Sequence, residues 1–380
     1  GTGVRSQGLC VADLALPKTL LVPAGLAEGL IESGGTINDI VQDALNSPIH
    51  RERWKYTKAD GFLTQLVALS EAPTIYGEQQ TGVRWLRETI SNPIPGLDLQ
   101  QGPEAFARLC FSGEAMRLEI TGSVTDPITL IHSSNTLPVI VNLSASASLT
   151  LIEMIEGDEG QQTVWIDIGP NAKLNHSRNA LNAASSSWQY ASVRLQSSAR
   201  YHLNNHVLGC GVRRQDLHVI MDGQGAEAKL VSAGMVDNKA ALDQQITLEH
   251  RQPRGHSEQT IHNIVANGGK CSFNGRIHIH DGASGTEAQL SNKNLGLGDN
   301  ATINTKPELE IYNDDVSCSH GATVGTLSQE ALFYLTSRGI DKAEAEALLS
   351  RGFLQQCIDG PLAETALKAM IGIRELGASL

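Results

Sequence analysis

Ser144-Ala145-Ser146-Ala147-Ser148-Leu149, Gly169-Pro170-Asn171-Ala172-Lys173-Leu174, Gln196-Ser197-Ser198-Ala199-Arg200-Tyr201 and Gly223-Gln224-Gly225-Ala226-Glu227-Ala228 are four versions of one turn. Each sets Ala after a small or turn-forming residue and before a strand-like run. Ala147, Ala172, Ala199 and Ala226 lie 25, 27 and 27 residues apart. A repeat of roughly 20–50 residues marks a solenoid or an array. Around these turns, from about 106 to 327, apolar residues alternate in short runs. Examples are Met116-Arg117-Leu118-Glu119-Ile120, Ile277-His278-Ile279-His280 and Leu309-Glu310-Ile311. Period-two alternation closed by Gly, Asn, Asp or Ser is the strand signature. No amphipathic helix of normal length interrupts the region, which argues against βαβ units. Strands with a fixed repeat and no helices predict a β-solenoid, whose coils stack at about 4.8 Å. A jelly roll also supplies many short strands, but the near-constant period favours the solenoid. Later turns at Asp281-Gly282-Ala283, Asp299-Asn300-Ala301 and His320-Gly321-Ala322 come closer together.

The flanks read differently. Residues 1–105 are expected to be mostly helical, with helices in 26–45, around 63–69 and over 83–90. From Ser328 the helical period returns. Ser328 caps a helix that Gly339 ends. Asp341 with Glu344 three residues later opens a second, with Ala345, Leu348, Leu349, Gly352 and Phe353 on one face. Leu362, Ala366, Leu367, Met370 and Ile371 form a last stripe. A unit this small cannot bury both faces alone, so it caps the solenoid, binds a partner, or both. The expected architecture is mainly β: a solenoid core at 106–327 between helical regions at 1–105 and 328–380.

Composition narrows the function. The 380 residues carry a formal charge of −12, which argues against nucleic acid and anionic membrane surfaces, since both attract a basic stripe. Apolar residues make up 41% and aromatics only 4%, so the core must come from Val, Ile, Leu and Ala. The absence of a long apolar window predicts no membrane span, and the first residues lack the apolar run of a signal peptide. Cys10, Cys110, Cys210, Cys271, Cys318 and Cys357 form no C-x-x-C pair and read as reduced cytosolic thiols.

Catalytic motifs are missing. Gly268-Gly269-Lys270-Cys271 lacks the first Gly and the hydroxyl of a nucleotide-binding loop, so no nucleotide is expected to bind directly. Asp314 and Asp315 would point to opposite faces of a strand and read as turn or edge residues. Cys318 and His320 are sharper. In an extended Val316 to His320 they share a face, and a thiolate with an imidazole suits iron, zinc or an iron–sulfur cluster. Two ligands do not close a site, so another subunit would supply the rest. On the residues alone, a buried Cys with a hydrogen-bonded core His stays open as the other reading. His278 and His280 also share a face and read first as an exposed or interface ladder, with a ligand role second. His202 and His206 carry no assignment, and Cys110, Cys210, Cys271 and Cys357 read as inert core thiols.

The run Glu310-Ile311-Tyr312-Asn313-Asp314-Asp315-Val316-Ser317-Cys318-Ser319-His320-Gly321-Ala322-Thr323-Val324-Gly325, followed by Phe333-Tyr334-Leu335-Thr336-Ser337-Arg338-Gly339-Ile340, resembles the SufB/SufD iron–sulfur cluster assembly family, and within it the SufD branch. Asp216-Leu217-His218-Val219, His256-Ser257-Glu258-Gln259-Thr260, Phe273-Asn274-Gly275-Arg276-Ile277 and Gln289-Leu290-Ser291-Asn292-Lys293-Asn294-Leu295 continue the likeness, and Trp54-Lys55-Tyr56-Thr57 resembles a short SufD feature. The resemblance implies a right-handed parallel β-helix in a non-ATPase scaffold subunit of the SufBCD complex, without independent catalytic turnover. It implies pairing with a SufB-like subunit through the β-helix, and docking of a SufC-like ABC ATPase on the C-terminal helices, where Phe333, Tyr334, Arg338, Gly339, Leu348 and Phe353 are the candidate contacts. It further implies support of iron delivery, a nascent Fe–S cluster or iron shared with the SufB-like subunit, and reduced flavin in some complexes. His320 is the stronger candidate ligand and Cys318 the weaker. Asn292 stands where the SufB branch has Cys, which favours the SufD branch. The implied location is cytoplasmic or, in a plastid-bearing organism, stromal. The rival readings are a secreted-type β-helix carbohydrate-active enzyme and a metal-free structural β-solenoid dimer.

Overall fold

The computed structural model describes residues 52–57, 71–89, 114–134, 136–157, 159–182, 186–298 and 300–377. The helices expected in 26–45 and around 63–69, with Cys10 and Cys110, lie outside them. Two nine-stranded sheets form the core. The first runs β1 (Thr74–Tyr76), β4 (Ile128–His132), β6 (Ser148–Ile155), β8 (Lys173–Ala180), β10 (Arg200–Leu208), β12 (Glu227–Val236), β14 (His256–Ala266), β16 (Thr286–Leu297), β18 (Val316–Gly325). The second runs β2 (Val83–Thr89), β3 (Glu114–Ile120), β5 (Val139–Leu143), β7 (Glu159–Ile168), β9 (Ser186–Leu195), β11 (Val212–Met221), β13 (Ala241–His250), β15 (Lys270–Ile279), β17 (Thr302–Ile311). Apart from β1 with β4 and β2 with β3, the paired strands are all parallel, and each coil gives one strand to each sheet. This is the expected β-solenoid.

The Ala turns set its period. Ser148 stands against Lys173, Lys173 against Arg200 and Arg200 against Glu227. The residue before each Ala is left-handed: φ is 60° at Ser146, 59° at Asn171, 55° at Ser198 and 67° at Gly225. That conformation suits Gly and Asn and costs other residues about 1–2 kcal/mol. Its backbone N–H donates to the next coil, Ser146 to Pro170, Asn171 to Ser197 and Ser198 to Gln224. The Ala itself turns inward and is fully buried at the stacked corner. A larger side chain would push the coils apart, which is why Ala recurs. His320-Gly321-Ala322 is not such a turn: it lies inside β18, because the closing bend falls earlier, at Asp314 and Asp315.

Val83–Thr89 is a strand, not the expected helix. It pairs antiparallel with β3. Val83 and Trp85 pack toward the core, while Arg84 and Arg87 form ion pairs across the pair with Glu119 and Glu114. These cross-strand contacts outweigh the weak helical spacing. β1 likewise pairs antiparallel with β4, so both sheets begin on an antiparallel strand.

Residues 52–57 strap the outer face of the second sheet. Arg214 stacks on Trp54 with 3.8 Å from guanidinium carbon to ring centroid. It pairs with Asp216 at 2.7 Å and Asp243 at 2.8 Å. Arg53 joins Asp216 at 3.1 Å, and the Thr57 hydroxyl donates to Asp243 at 2.5 Å. Trp54 also meets Trp188 edge-on.

Helices α1 (Gln329–Ser337), α2 (Lys342–Gln355) and α3 (Ala363–Gly377) follow the solenoid. Ser328 Oγ accepts from Ala331 N–H, and Asp341 caps α2 by accepting from Ala343 N–H rather than from Glu344. The unit does not cap the solenoid end. Leu354, Cys357 and Met370 pack on Val231, Ala233, Met235 and Ile264, the outward row of β12 and β14. The buried side of α2 is Ala345, Ser350 and Leu354, so Leu348 faces solvent rather than joining Ala345.

Candidate functional site

The solenoid ends differently at its two ends. At its start the edge strands are β1 and β2, which run antiparallel to their neighbours. Its finish is β17 and β18, each paired on one side only among the described residues. Such edges carry unpaired backbone donors and acceptors and invite another strand. Pro307 sits in β17, as a proline in a sheet does at an edge. Ile311, Tyr312 and Val324 are large apolar residues exposed along this rim.

Cys318 and His320 occupy β18, on one face as predicted. Cys318 registers with Ala288 and His320 with Leu290, and both partners are buried in the lumen. The two side chains therefore continue inward-facing rows beyond the last covered coil. Cys318 is half-buried against the core, and burial pushes its thiol pKa up. His320 is exposed. The reading of a core Cys with a core His does not describe this pair. Behind them, Asn292 is fully buried. Its Oδ1 accepts from Asn294 at 2.6 Å and from the Thr305 hydroxyl at 2.8 Å.

The candidate docking residues divide. Phe333, Tyr334 and Leu348 are exposed, 74%, 56% and 44%. Arg338 lies over the Tyr334 ring, and Gly339, at φ 87°, ends α1. Phe353 is engaged internally: its ring stacks on His262 with centroids 4.5 Å apart, and its carbonyl accepts from His262 Nδ1.

The lumen holds polar residues that alternation hid. Glu153 lies 3.1 Å from His132, 3.0 Å from His176 and 2.8 Å from Arg178, all buried. Burial alone would raise the Glu153 pKa; Arg178 and the two histidines outweigh it and hold the carboxyl well below its usual range. Further along, Arg178, Asn205, Gln215, Ser232 and Gln244 line a cavity of about 20 Å³, room for one water. The signal in the sequence was an excess of Gln and Asn at inward positions. Cys210, Cys271 and Cys357 are buried, as expected of inert thiols.

The fold and the candidate site together are those of a parallel β-solenoid with a His–Cys strand at one sheet edge and a helical unit on its flank. The description "SUF system FeS cluster assembly, SufBD core domain" fits residues 131–353, and the chain belongs to that SufB/SufD family. It is similar to the iron–sulfur cluster assembly protein SufD of Escherichia coli (strain K12), 33% identical over 207 residues, 54% of this chain and 49% of that protein. It is also similar to an iron–sulfur cluster assembly SufBD family protein of Synechocystis, 30% identical over 62% of this chain and 55% of that one. Protein ABCI7, chloroplastic, of Arabidopsis thaliana is 31% identical over 58% and 48%. The chain spans about half the length of the curated relatives it matches. Among the described residues no helix is long and apolar enough to cross a membrane.

Proposed function

We propose that the chain is a SufD-type scaffold subunit of a SufBCD-like complex, without catalytic turnover of its own, in the cytoplasm or a plastid stroma. The observation that carries this is His320. It is exposed on an inward-facing row of the terminal edge strand, where a second solenoid would meet it. In this reading β17 and β18 pair with a SufB-like subunit. That partner supplies thiolates beside His320, with Cys318 secondary, and iron or a nascent cluster is held between the chains as cargo. A SufC-like ATPase docks on Phe333, Tyr334, Arg338, Gly339 and Leu348. The buried Asn292 supports a subunit that does not build a cluster alone, since an amide is a poor ligand for iron–sulfur chemistry.

Co-purification with SufB-like and SufC-like subunits tests the reading. A stable three-component complex whose cluster yield drops on His320→Ala is expected. A stable complex with unchanged yield removes the ligand role and keeps the scaffold. No complex removes both. The free edges also suit a second copy of this chain, so a homodimer is expected when the chain is isolated, and its mass in solution reports it.

A further inference from the structure

We propose that Glu249, His278 and His280 form a site for a divalent first-row transition ion on the outer flank of the second sheet, apart from the Cys318–His320 strand. Glu249 stands in register with His278, and His280 follows two residues on. Stacking of coils thus brings a carboxylate and two imidazoles onto one outward patch. Their ligand atoms all lie within 4.8 Å of one another. His280 Nε2 is 3.0 Å from Glu249 Oε2. Donors that share a zinc-sized ion through bonds of ~2.0–2.1 Å stand ~3–3.5 Å apart, so this pair already has the spacing. The His278 and His280 rings stack at 4.0 Å, 7° from parallel. A nitrogen of His278 lies within the same 4.8 Å.

The surroundings favour an ion over a plain hydrogen-bond ladder. The other Glu249 oxygen accepts from His218 Nε2 at 2.9 Å, and His218 is buried, so the carboxylate is held by an outer partner as ligating carboxylates are. Two imidazoles with one carboxylate suit zinc or ferrous iron, with remaining positions open. Those positions face solvent, since His280 is 37% exposed. Glu310 lies 3.8 Å from His278 Nδ1 and adds negative charge at the rim; it pairs with Arg276, whose guanidinium also lies 3.5 Å from His278 Nδ1 and must turn wholly to Glu310 when an ion binds. Arg251 donates to Glu249 Oε2 at 3.0 Å. It is the cation that an incoming ion displaces, and it is a quarter exposed, so it can swing to water.

Titration of the chelator-treated chain with Co²⁺, read by its visible ligand-field bands and by displacement with Zn²⁺, tests the site. One equivalent is expected. His278→Ala, His280→Ala and Glu249→Gln should each weaken it by at least the ~10–100-fold that loss of an outer partner costs. The double variant His320→Ala/Cys318→Ser should leave it unchanged. Arg251→Gln should tighten it, and that gain does not depend on a variant that loses structure. No saturable uptake, uptake that survives the double variant His278→Ala/His280→Ala, uptake lost in His320→Ala/Cys318→Ser, or no gain in Arg251→Gln overturns the proposal.

Discussion

His320 stands in register with Leu290 on the inward face of the solenoid, yet Leu290 is 3% exposed and His320 is open to solvent. The difference is one missing coil. Truncation at the two positions should therefore diverge. Leu290→Ala removes a side chain packed in the lumen and should cost about 2–5 kcal/mol. His320→Ala touches no buried contact and should stay within about 0.5 kcal/mol of the parent. Denaturant unfolding of both variants reads the contrast. Equal losses would make His320 a core residue and undo its assignment to an interface.

Stability should fall early in acid. Burial lowers the pKa of His206 and of His250 from 6.5 to about 4. Both are fully buried and hydrogen-bonded, His206 Nδ1 to Asn179 Oδ1 and His250 Nε2 to Ser257 Oγ, each at 2.9 Å. A folded histidine with a lowered pKa refuses a proton that the unfolded chain accepts below pH 6.5. Stability is thus full above pH 6.5 and declines as pH falls toward 4, by about 1.4 kcal/mol per unit per group. Glu153 and Glu249 have lowered pKa values, so their contribution is present above the usual carboxylate range and is lost only at lower pH. The melting temperature between pH 7 and 4.5 should drop steeply in the parent and less in His250→Gln. An equal slope in both would exclude His250 from the transition.

How far the sequence discloses this molecule depends on which side of the chain carries the constraint. The solenoid is legible because Ala147, Ala172, Ala199 and Ala226 answer to the same corner in successive coils. The Cys318–His320 strand is legible because two-residue spacing needs no tertiary knowledge. Its exposure is not, because an inward row is buried or bare according to whether another coil follows. Val83–Thr89 misleads because seven residues hold too few periods to separate a strand from a helix, and its pairing with β3 decides. Glu249 escapes because its partners lie one coil away. Adding a coil length to 249 reaches 278, so the register, once known, reveals the cluster.

Ala199 tests the corner itself. It is fully buried beside Ser198, whose left-handed φ of 55° turns the chain. Ala199 N–H donates to Gln196, and Ser198 N–H to Gln224 on the next coil. Ala199→Leu adds three carbons where coils stack at backbone distance, and overpacking of a filled core costs about 1–3 kcal/mol. The unfolding free energy should fall by that amount, whereas Lys173→Leu, exposed one residue after the equivalent Ala172, should leave it nearly unchanged. A tolerated Ala199→Leu would mean that the corner is not what sets the repeat.

Arg214 holds the strap and two buried carboxylates together. It pairs with Asp216 and Asp243 and lies against Trp54. Burial alone would raise the Asp216 pKa; Arg214, Arg53 and Trp188 outweigh it and keep the group charged. Arg214→Met therefore strands Asp243 and weakens the hold on Asp216, and breaking a buried pair this way costs about 3–5 kcal/mol. Trp54→Ala removes the stacked ring, a contact of about 2 kcal/mol when desolvated, but leaves both ion pairs in place. Limited proteolysis near residues 52–57 should accelerate in both variants, while the global melting temperature should fall much further in Arg214→Met. If the two variants lose equal stability, the ring rather than the charge network holds the strap to the sheet. If neither exposes the 52–57 segment to protease, the segment is fixed by contacts other than these.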